Sequence, residues 1–183
     1  MEAFRHLISH HEDECEKLHS MVRETFQRRN KSELAWRDWQ LAAKRFREYR
    51  TDVDQFLERC LVEGVENVSE LRTFAFCFIE CDPYYYRSGY AMEALLRKIK
   101  KLSLTDAEQA LLKDLILKRI DNKALRNFRQ ICRFIPMLET LGFSNEVAAR
   151  TRSSDPSVRH RANFALSYFP SNSKHKGAGF VML

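Results

Sequence analysis

Apolar residues recur at steps of three and four along the first part of this chain, and this spacing most constrains its fold. The first stripe spans roughly seven helical turns and consists of Phe4, Ile8, His11, Cys15, Leu18, Val22 and Phe26. Such a stripe is typical of a helix that buries one face. The 183 residues include only five glycines and four prolines, fewer than the turns of a β-sandwich or a Rossmann-type fold usually need. The sequence therefore predicts an all-α protein.

A second stripe follows a polar break at residues 28–32 and predicts a helix that folds back on the first. Its apolar members are Trp36, Trp39, Ala43, Phe46, Val53, Phe56, Leu57 and Cys60. Ser32 can cap this helix, because its side chain accepts hydrogen bonds from free N–H groups. Thr51-Asp-Val-Asp54 indicates either a break or a re-capped kink, and Gly64 ends the stripe. Since two helices with a short connector pair antiparallel, we expect a long N-terminal helical hairpin over residues 1–66.

Shorter helices are predicted over residues 67–170, in about three pairs with a period of about 35 residues, which is where solenoid repeats fall. The expected caps are Ser69, Ser88 and the capping box Thr105-Asp-Ala-Glu108. Pro83 stops one helix, because the residue before a proline disfavours helical backbone. Gly142-Phe-Ser-Asn145 reads as a turn, with Ser144 leading into a short helix. The Ser/Lys/Gly-rich residues 171–183 predict a disordered tail.

The last predicted helix has the most distinctive pattern. Asp155 can cap it, and Pro156 suits the first helical position because its missing N–H has no partner to lose there. The positions that follow at helical spacing are Val158, Arg159, Ala162 and Ala165. This stretch, Ser154–Phe169, resembles the second helix of a HEAT-type repeat.

The resemblance implies specific roles for these residues and a shape for the whole region. In HEAT repeats the Asp caps the helix, the Val and Ala residues pack between helices, and the Arg bonds neighbouring loops. The family forms curved helical scaffolds that bind partners on a concave face. We therefore expect a short HEAT-like α-solenoid of about three helix pairs over residues 67–170.

The net charge of +6 is distributed unevenly along the chain. Residues 1–83 hold 13 basic and 17 acidic residues, a net −4, whereas residues 84–169 hold 16 and 8, a net +8. Such asymmetry between halves indicates an anionic partner for the basic half. The alternative is a set of solvated helix faces, one of them turned toward an acidic subunit.

Basic and aromatic side chains of the second half are the expected binding residues. Arg126, Arg129 and Arg133 lie at three- and four-residue steps and share one helix face. The full expected set is Tyr85, Tyr86, Arg97, Lys101, Arg119, Lys123, Arg126, Arg129, Arg133, Arg159 and Arg161. Rows of arginine pair with phosphates or with carboxylate-rich protein surfaces, and tyrosines offer stacking surfaces. The alternative is structural pairing, in which Arg129 and Arg133 hold Asp residues of the next repeat.

No motif for a nucleophile, a phosphate-binding loop or a metalloprotease is present. His6, His10 and Glu14 share one helix face, which is more simply an exposed polar face than a zinc site. Glu16 and His19 have the spacing of a di-metal helix, but the second copy that such a site needs is missing. We therefore expect no metal, no cofactor and no enzymatic activity.

Cysteine usage and hydropathy predict a cytoplasmic location. The five cysteines have irregular spacing and include no CxxC pair, as expected of reduced thiols. The chain opens without the apolar core of a signal peptide. No apolar run approaches the ~18–20 residues that span a bilayer, so we expect no membrane partner.

Together these features predict a non-enzymatic helical scaffold that binds an acidic partner protein through a basic groove or face, as an adaptor or an immunity-type inhibitor does. A nucleic-acid-binding helical module that uses the basic half is the alternative. The amphipathic hairpin, with its two tryptophans, also raises the hypothesis of a homodimer.

Overall fold

A computed structural model of the chain describes residues 1–122, 127–138 and 141–170. These residues are helical and include no strand, which confirms the all-α prediction. They form two compact units, Met1–Ser103 and the chain from Leu104 onward. The first unit thus extends beyond the expected hairpin region, residues 1–66. Within the described part of the chain, no helix combines the length and apolar character that crossing a membrane requires.

The first two helices form the predicted long hairpin. Helix α1 spans Glu2–Arg28 and α2 spans Glu33–Glu48, and the two helices pack against each other along the hairpin. Ser32 caps α2 as predicted, because its Oγ accepts a hydrogen bond from the N–H of Ala35 at 3.1 Å. The buried residues of α1, Ile8, His11 and Cys15, all lie in its first half. The end of the hairpin next to its turn, residues 29–32, therefore contributes little to the core.

The break predicted at Thr51 starts a separate helix. Helix α3 spans Asp52–Arg59 and begins with a capping box. The Thr51 N–H donates to Asp54 Oδ2 at 2.9 Å, and Thr51 Oγ1 accepts from the N–H of Val53 at 3.2 Å. A single π-helical turn, Cys60–Gly64, follows, and Gly64 then turns the chain with a left-handed φ of 87°.

Helix α4, Ser69–Cys81, forms the centre of the first unit. Its Phe74 is fully buried, with ring centroids 5.5 Å from Phe4, 4.9 Å from Phe56 and 6.0 Å from Phe78. These edge-on and stacked pairs join α1, α3 and α4 into one core. The helix ends at Cys81, one residue before the chain enters Pro83, as predicted.

Helix α5, Ser88–Ile99, packs on α4, and Arg87, the residue just before it, has a left-handed backbone. The predictions that Ser69 and Ser88 cap helices are wrong: Val68 and Arg87 are the capping positions, and each serine is the first helical residue. Ser88 Oγ instead donates to the carbonyl of Tyr85 at 2.8 Å, which fastens the preceding connector.

The second unit consists of four helices and a 3-10 turn in the residues described. The elements are α6 Asp106–Asp121, α7 Phe128–Cys132, the 3-10 turn Ile135–Met137, α8 Leu141–Arg150 and α9 Pro156–Leu166. The capping box predicted at Thr105 is confirmed, with bonds of 2.8 and 3.3 Å between Thr105 and Glu108. The turn predicted at 142–145 is wrong, because these residues form the start of α8. Gly, Ser and Asn favour turns but are tolerated in the first turn of a helix.

The last helix has the local contacts expected for it. Asp155 Oδ1 accepts from the N–H of Ser157 at 2.7 Å, and Pro156 is the first helical residue. Val158, Ala162 and Ala165 are buried. Helices α8 and α9 pack on each other, and Arg150 on α8 makes a two-pronged ion pair with Asp121 of α6, with both N–O distances 2.8 Å. The solenoid arrangement itself remains a prediction, and the predicted tail, 171–183, lies outside the described residues.

Candidate functional site

A pocket of about 900 Å3 lies in the first unit, among α1, α2, α3 and the connector that leads into α5. Both connectors that line it are fixed at defined points. Residues 49–51 are held by the capping box of α3, and residues 82–87 are held by Ser88 and by Glu12, whose Oε1 accepts from the N–H of Tyr84 at 2.7 Å. The pocket is therefore bounded by elements that are fixed without a ligand.

His11 lies in the buried wall of this pocket, with its ring 2% exposed. Its Nδ1 is hydrogen-bonded to Thr51 Oγ1 at 2.7 Å, and its Nε2 lies 3.4 Å from Cys15 Sγ. The Tyr49 ring stacks on the imidazole with centroids 5.7 Å apart, and the Tyr85 ring meets it edge-on at 4.7 Å. Every edge of the imidazole is thus engaged, so the ring is fixed in place.

The environment of His11 and Cys15 keeps both groups neutral. Burial lowers the pKa of His11, although the charge of Asp54 opposes this. Burial also raises the pKa of the Cys15 thiol to about 11. Since the thiolate is the nucleophilic form of cysteine, this pair does not form an activated nucleophile. Among the described residues, no three His, Cys, Asp or Glu side chains are grouped to hold a metal.

Three arginines line the same pocket from three different elements. Arg47 belongs to α2, Arg50 follows α2, and Arg87 precedes α5. Within the described ranges, none of the three guanidinium groups forms an ion pair with a carboxylate. Arg50 Nη1 donates to the carbonyl of Tyr49 at 2.9 Å, and the Arg87 guanidinium lies 5.2 Å from the centroid of the Tyr86 ring. Arg50 and Arg87 are therefore positioned by contacts that leave their charges without a direct carboxylate partner.

Arg87 also has a left-handed backbone, with φ of 72° and ψ of −4°. A residue with a Cβ loses roughly 1–2 kcal/mol in this conformation, and such outliers persist only where the surroundings hold them. The Ser88 hydroxyl supplies that hold through the Tyr85 carbonyl. The result is that Arg87 and the two tyrosines before it face the pocket.

A second feature is the outer hairpin, which we define as residues 17–45. Five of its large apolar side chains are 41–69% exposed: Met21, Phe26, Leu34, Trp36 and Leu41. At its end, the Trp39 ring lies 4.8 Å from Trp36 and 6.0 Å from Phe26, and the Arg29 guanidinium lies 3.4 Å above the Phe26 ring. The outer hairpin thus presents an aromatic cluster to solvent.

The outer hairpin is also basic, which the charge of the whole N-terminal half conceals. It holds eight basic and three acidic residues, a net +5, although residues 1–83 together carry −4. The acidic residues lie mainly outside it, toward residues 12–16 and beyond residue 50. A charge count in a window of helix length, rather than over half of the chain, identifies this surface from the sequence.

The predicted binding residues of the first unit have two kinds of environment. Tyr85 is buried in the pocket wall, and Tyr86 is exposed at the pocket edge, where its ring lies near Phe46. Arg97 and Lys101 are exposed near the end of α5, and Arg97 Nη2 donates to Glu93 Oε1 at 2.8 Å. The two tyrosines therefore belong to the pocket.

The predicted arginines of the second unit divide by burial. Arg129 and Arg133 are exposed at α7. Arg119 and Arg161 are 3% and 8% exposed, which corrects the expectation that they face a solvent groove. Arg161 Nε donates to the carbonyl of Ile120 at 2.8 Å, and Arg159 Nη1 donates to the carbonyls of Ser153 and Ser154. Arg159 and Arg161 thus bond backbone carbonyls, which are not the acidic side chains that the structural alternative names. Lys123 and Arg126 lie outside the described residues.

Comparison of the chain with protein-family models, with curated proteins and with solved structures found no match in any of the three. The resemblance of residues 154–169 to a HEAT-type helix therefore remains a prediction. Its local basis, an Asp cap followed by buried Val and Ala positions, is present in α9.

Proposed function

We propose that this chain is a non-enzymatic helical scaffold that binds an acidic partner protein, and that the outer hairpin makes the central contact. The observation that carries the proposal is an aromatic cluster on a basic surface, in which Phe26 and Trp36 are exposed and Trp39 is half-buried between them. Tryptophan and arginine are the residue types most enriched among those that dominate binding energy at protein interfaces.

Much of the apolar side-chain surface of the outer hairpin is not buried by contacts within the chain. Of the described residues of α2, Ala42 alone is buried, whereas Leu34 is 69% exposed and Leu41 50% exposed. Clustered exposed apolar side chains, such as Phe26 and Trp36 beside Trp39, mark interaction sites on soluble proteins. A partner that covers these side chains gains the transfer free energy that intrachain packing leaves unused, about 25 cal/mol per Å2 of apolar surface removed from water.

The charge of the outer hairpin selects the kind of partner. A net +5 over 29 residues favours association with an acidic surface and accelerates the encounter. A second copy of the chain presents the same positive surface, so self-association through this end brings like charges together. The exposed Arg129 and Arg133 give the second unit basic side chains of its own.

The proposal also covers the arrangement of the second unit and the compartment in which the protein acts. The second unit is a HEAT-like arrangement, supported by the cap and buried positions of α9. The protein acts in the cytoplasm, supported by its five unpaired cysteines, which suit a reducing compartment.

The test compares three forms of the protein as bait in nuclease-treated lysate of the source cell. The first is wild type, the second carries Leu34→Ser and Trp36→Ser, and the third is a matched control with Leu61→Ser and Val62→Ser. The control residues are exposed apolar side chains outside the hairpin, at 39% and 78% exposure. The partner captured by wild type is then made pure and its affinity for all three forms is measured.

We expect an acidic protein that binds wild type and the control equally. We expect the hairpin variant to bind it at least about 30-fold more weakly, as loss of a residue that dominates an interface does. Equal affinity of all three forms contradicts the proposal. So does a nucleic acid as the captured partner in untreated lysate, or light scattering that shows a dimer abolished by the hairpin variant with no other protein bound.

A further inference from the structure

We propose that the pocket of the first unit is a binding site for a small amphipathic anion, a molecule that joins a flat apolar body to one acidic group. The site is separate from the aromatic cluster of the outer hairpin, and it does not depend on the partner proposed above. Its basis is one cavity with aromatic walls and three arginines that form no ion pair with a carboxylate in the described part of the chain.

The size of the cavity fits a ligand of this class. Sites for small organic molecules occupy about 300–1,000 Å3 and occur between helices of bundles. This pocket of about 900 Å3 lies among α1, α2, α3, the first turn of α5 and two connectors. Its walls are set by the capping box of α3 and by the Ser88 hydrogen bonds. A ligand therefore meets a formed site and need not order it.

The acidic group of the ligand is recognised by the arginines. Arg47, Arg50 and Arg87 approach the pocket from α2, from the α2–α3 connector and from the start of α5. Guanidinium groups bind carboxylate, sulfonate and phosphate oxygens through paired, charge-assisted hydrogen bonds. The pocket wall also includes Asp54 and Glu58, which leaves a net charge of one positive unit for a ligand with one acidic group.

Asp54 does not compete fully for the arginines, because its Oδ2 already accepts from the Thr51 N–H at 2.9 Å. Glu58 is exposed one helical turn further along α3. The arginine charge within the cavity therefore remains for an incoming anion. The strained backbone of Arg87 is consistent with this role, since such strain concentrates at ligand sites.

The apolar body of the ligand is recognised by aromatic rings. Phe46, Tyr49 and Tyr86 line the cavity, and the Phe46 and Tyr86 rings lie 5.5 Å apart. Planar groups stack on rings of this kind and on guanidinium planes. Arg87 lies against the Tyr86 ring, so an acidic group near Arg87 places a flat body beside the aromatic wall.

The test uses two dyes with the same ring system and different charge. Anilinonaphthalene sulfonate carries an acidic group, and phenylnaphthylamine lacks it. Both become fluorescent when their rings enter an apolar site, so one assay measures both affinities. The wild-type chain is compared with Arg47→Gln, with Arg87→Gln, with the pocket-filling Ala91→Trp, and with Arg45→Gln. Arg45 is the matched control, because it is exposed on α2 and does not line the pocket.

We expect saturable binding of the sulfonate dye and at least about tenfold weaker binding of the uncharged dye, which is the effect of losing a hydrogen bond to a charged group. Arg47→Gln and Arg87→Gln should each weaken the sulfonate dye about tenfold and leave the uncharged dye within about twofold. Ala91→Trp should weaken both dyes, and Arg45→Gln neither. Circular dichroism and thermal melting confirm that each variant is folded.

Four results overturn the proposal. The first is no saturable binding of the sulfonate dye up to a dye concentration of about 1 mM, and the second is equal affinity of the protein for the two dyes. The third is a loss of sulfonate-dye affinity in Arg45→Gln as large as in Arg47→Gln and Arg87→Gln, which indicates general electrostatic attraction. The fourth is loss of dye binding in Leu34→Ser/Trp36→Ser, which places the dye on the outer hairpin. Failure of the hairpin variant to lose its partner, by contrast, affects the proposed function and leaves this inference unchanged.

Discussion

Thr51 is expected to contribute more to stability than an ordinary helix cap, and a second cap in the same chain provides the comparison. Both Thr51 and Thr105 begin helices with complete capping boxes. Thr51 Oγ1 has an additional hydrogen bond, at 2.7 Å, to Nδ1 of the buried His11. Thr105 is exposed, and among the described residues its side chain has the cap bond alone. Replacing each by alanine therefore separates the cap from the bond to His11.

The magnitudes follow from the two kinds of contact. Loss of a threonine cap costs about 1 kcal/mol of the free energy of unfolding, and this is the whole expected cost of Thr105→Ala. Thr51→Ala also leaves a buried imidazole nitrogen without its partner, which adds about 1–3 kcal/mol. We therefore expect a total of about 2–4 kcal/mol for Thr51→Ala. Thr51→Ser keeps the hydroxyl and should stay within about 0.5 kcal/mol of wild type.

Urea unfolding measures these differences. Trp36 and Trp39 both lie in the first unit, so tryptophan fluorescence reports the unit that contains Thr51. Far-UV circular dichroism follows the helices of both units, so a Thr105→Ala effect appears in this signal and not in the tryptophan signal. In a His11→Phe background, Thr51→Ala should cost about 1 kcal/mol, because the partner of the hydroxyl is already gone. Equal costs for Thr51→Ala and Thr105→Ala in the wild-type background, or an unchanged cost in the His11→Phe background, refute the reasoning.

Four further measurements test other parts of the structure. Gly64→Ala should destabilise the protein by roughly 1–2 kcal/mol, because Gly64 has a left-handed φ; the Glu66 carboxylate, 2.7 Å from the added Cβ, is the end of a flexible side chain and can move aside. Gly142→Ala, whose Cβ meets nothing within 4 Å on α8, should be neutral or stabilising by up to about 1 kcal/mol in thermal or urea unfolding. Phe74→Ala should cost about 3–5 kcal/mol in urea unfolding, because Phe74 is fully buried among aromatic rings, and a cost below about 1 kcal/mol contradicts the described core. Because burial lowers the pKa of His11 below its ordinary 6.5, the unfolded state binds the proton more readily than the native state. The contribution of neutral His11 to the free energy of unfolding should therefore be fully present above about pH 6.5 and decrease as the pH falls below it. His11→Gln should flatten that decrease in a series of urea titrations at different pH. Ellman's reagent at pH 7.5 should react slowly with the native protein, because burial raises the pKa of every cysteine, and rapidly with all five thiols once urea has unfolded it. Rapid reaction of one native thiol contradicts this expectation. The thiols are Cys15, Cys60, Cys77, Cys81 and Cys132.

Features that depend on neighbouring residues were predictable from the sequence. The helix predicted from the stripe of Phe4 to Phe26, the Ser32 cap, the box at Thr105 and the Asp155-Pro156 start all agree with the structure, although the stripe is buried in its first half and exposed at Phe26. In each case the signal and its partner lie within one or two turns of the same helix. Such local geometry follows from periodicity and capping chemistry without knowledge of the tertiary fold.

Features that depend on distant residues were not predictable. Whether Ser88 caps a helix or bonds back to Tyr85 depends on how the connector packs. The bond between His11 and Thr51 joins residues 40 positions apart, and the pocket requires four separate segments to meet. Arg161 looks like a surface residue by type, yet its partner is a carbonyl of α6, 41 residues away.

Helix α2 has a consequence for how this protein can change over evolutionary time. Because Ala42 is the buried residue among those described in α2, most substitutions along the outer face of the helix leave the fold intact, within about 0.5 kcal/mol each. Positions such as Leu34 and Trp36 are thus free to vary with a partner rather than with the core. Under the proposed function, recognition and folding are encoded in separate residues of the outer hairpin, so a few surface mutations are enough to give it a new specificity. A library randomised at these positions should yield folded variants at high frequency.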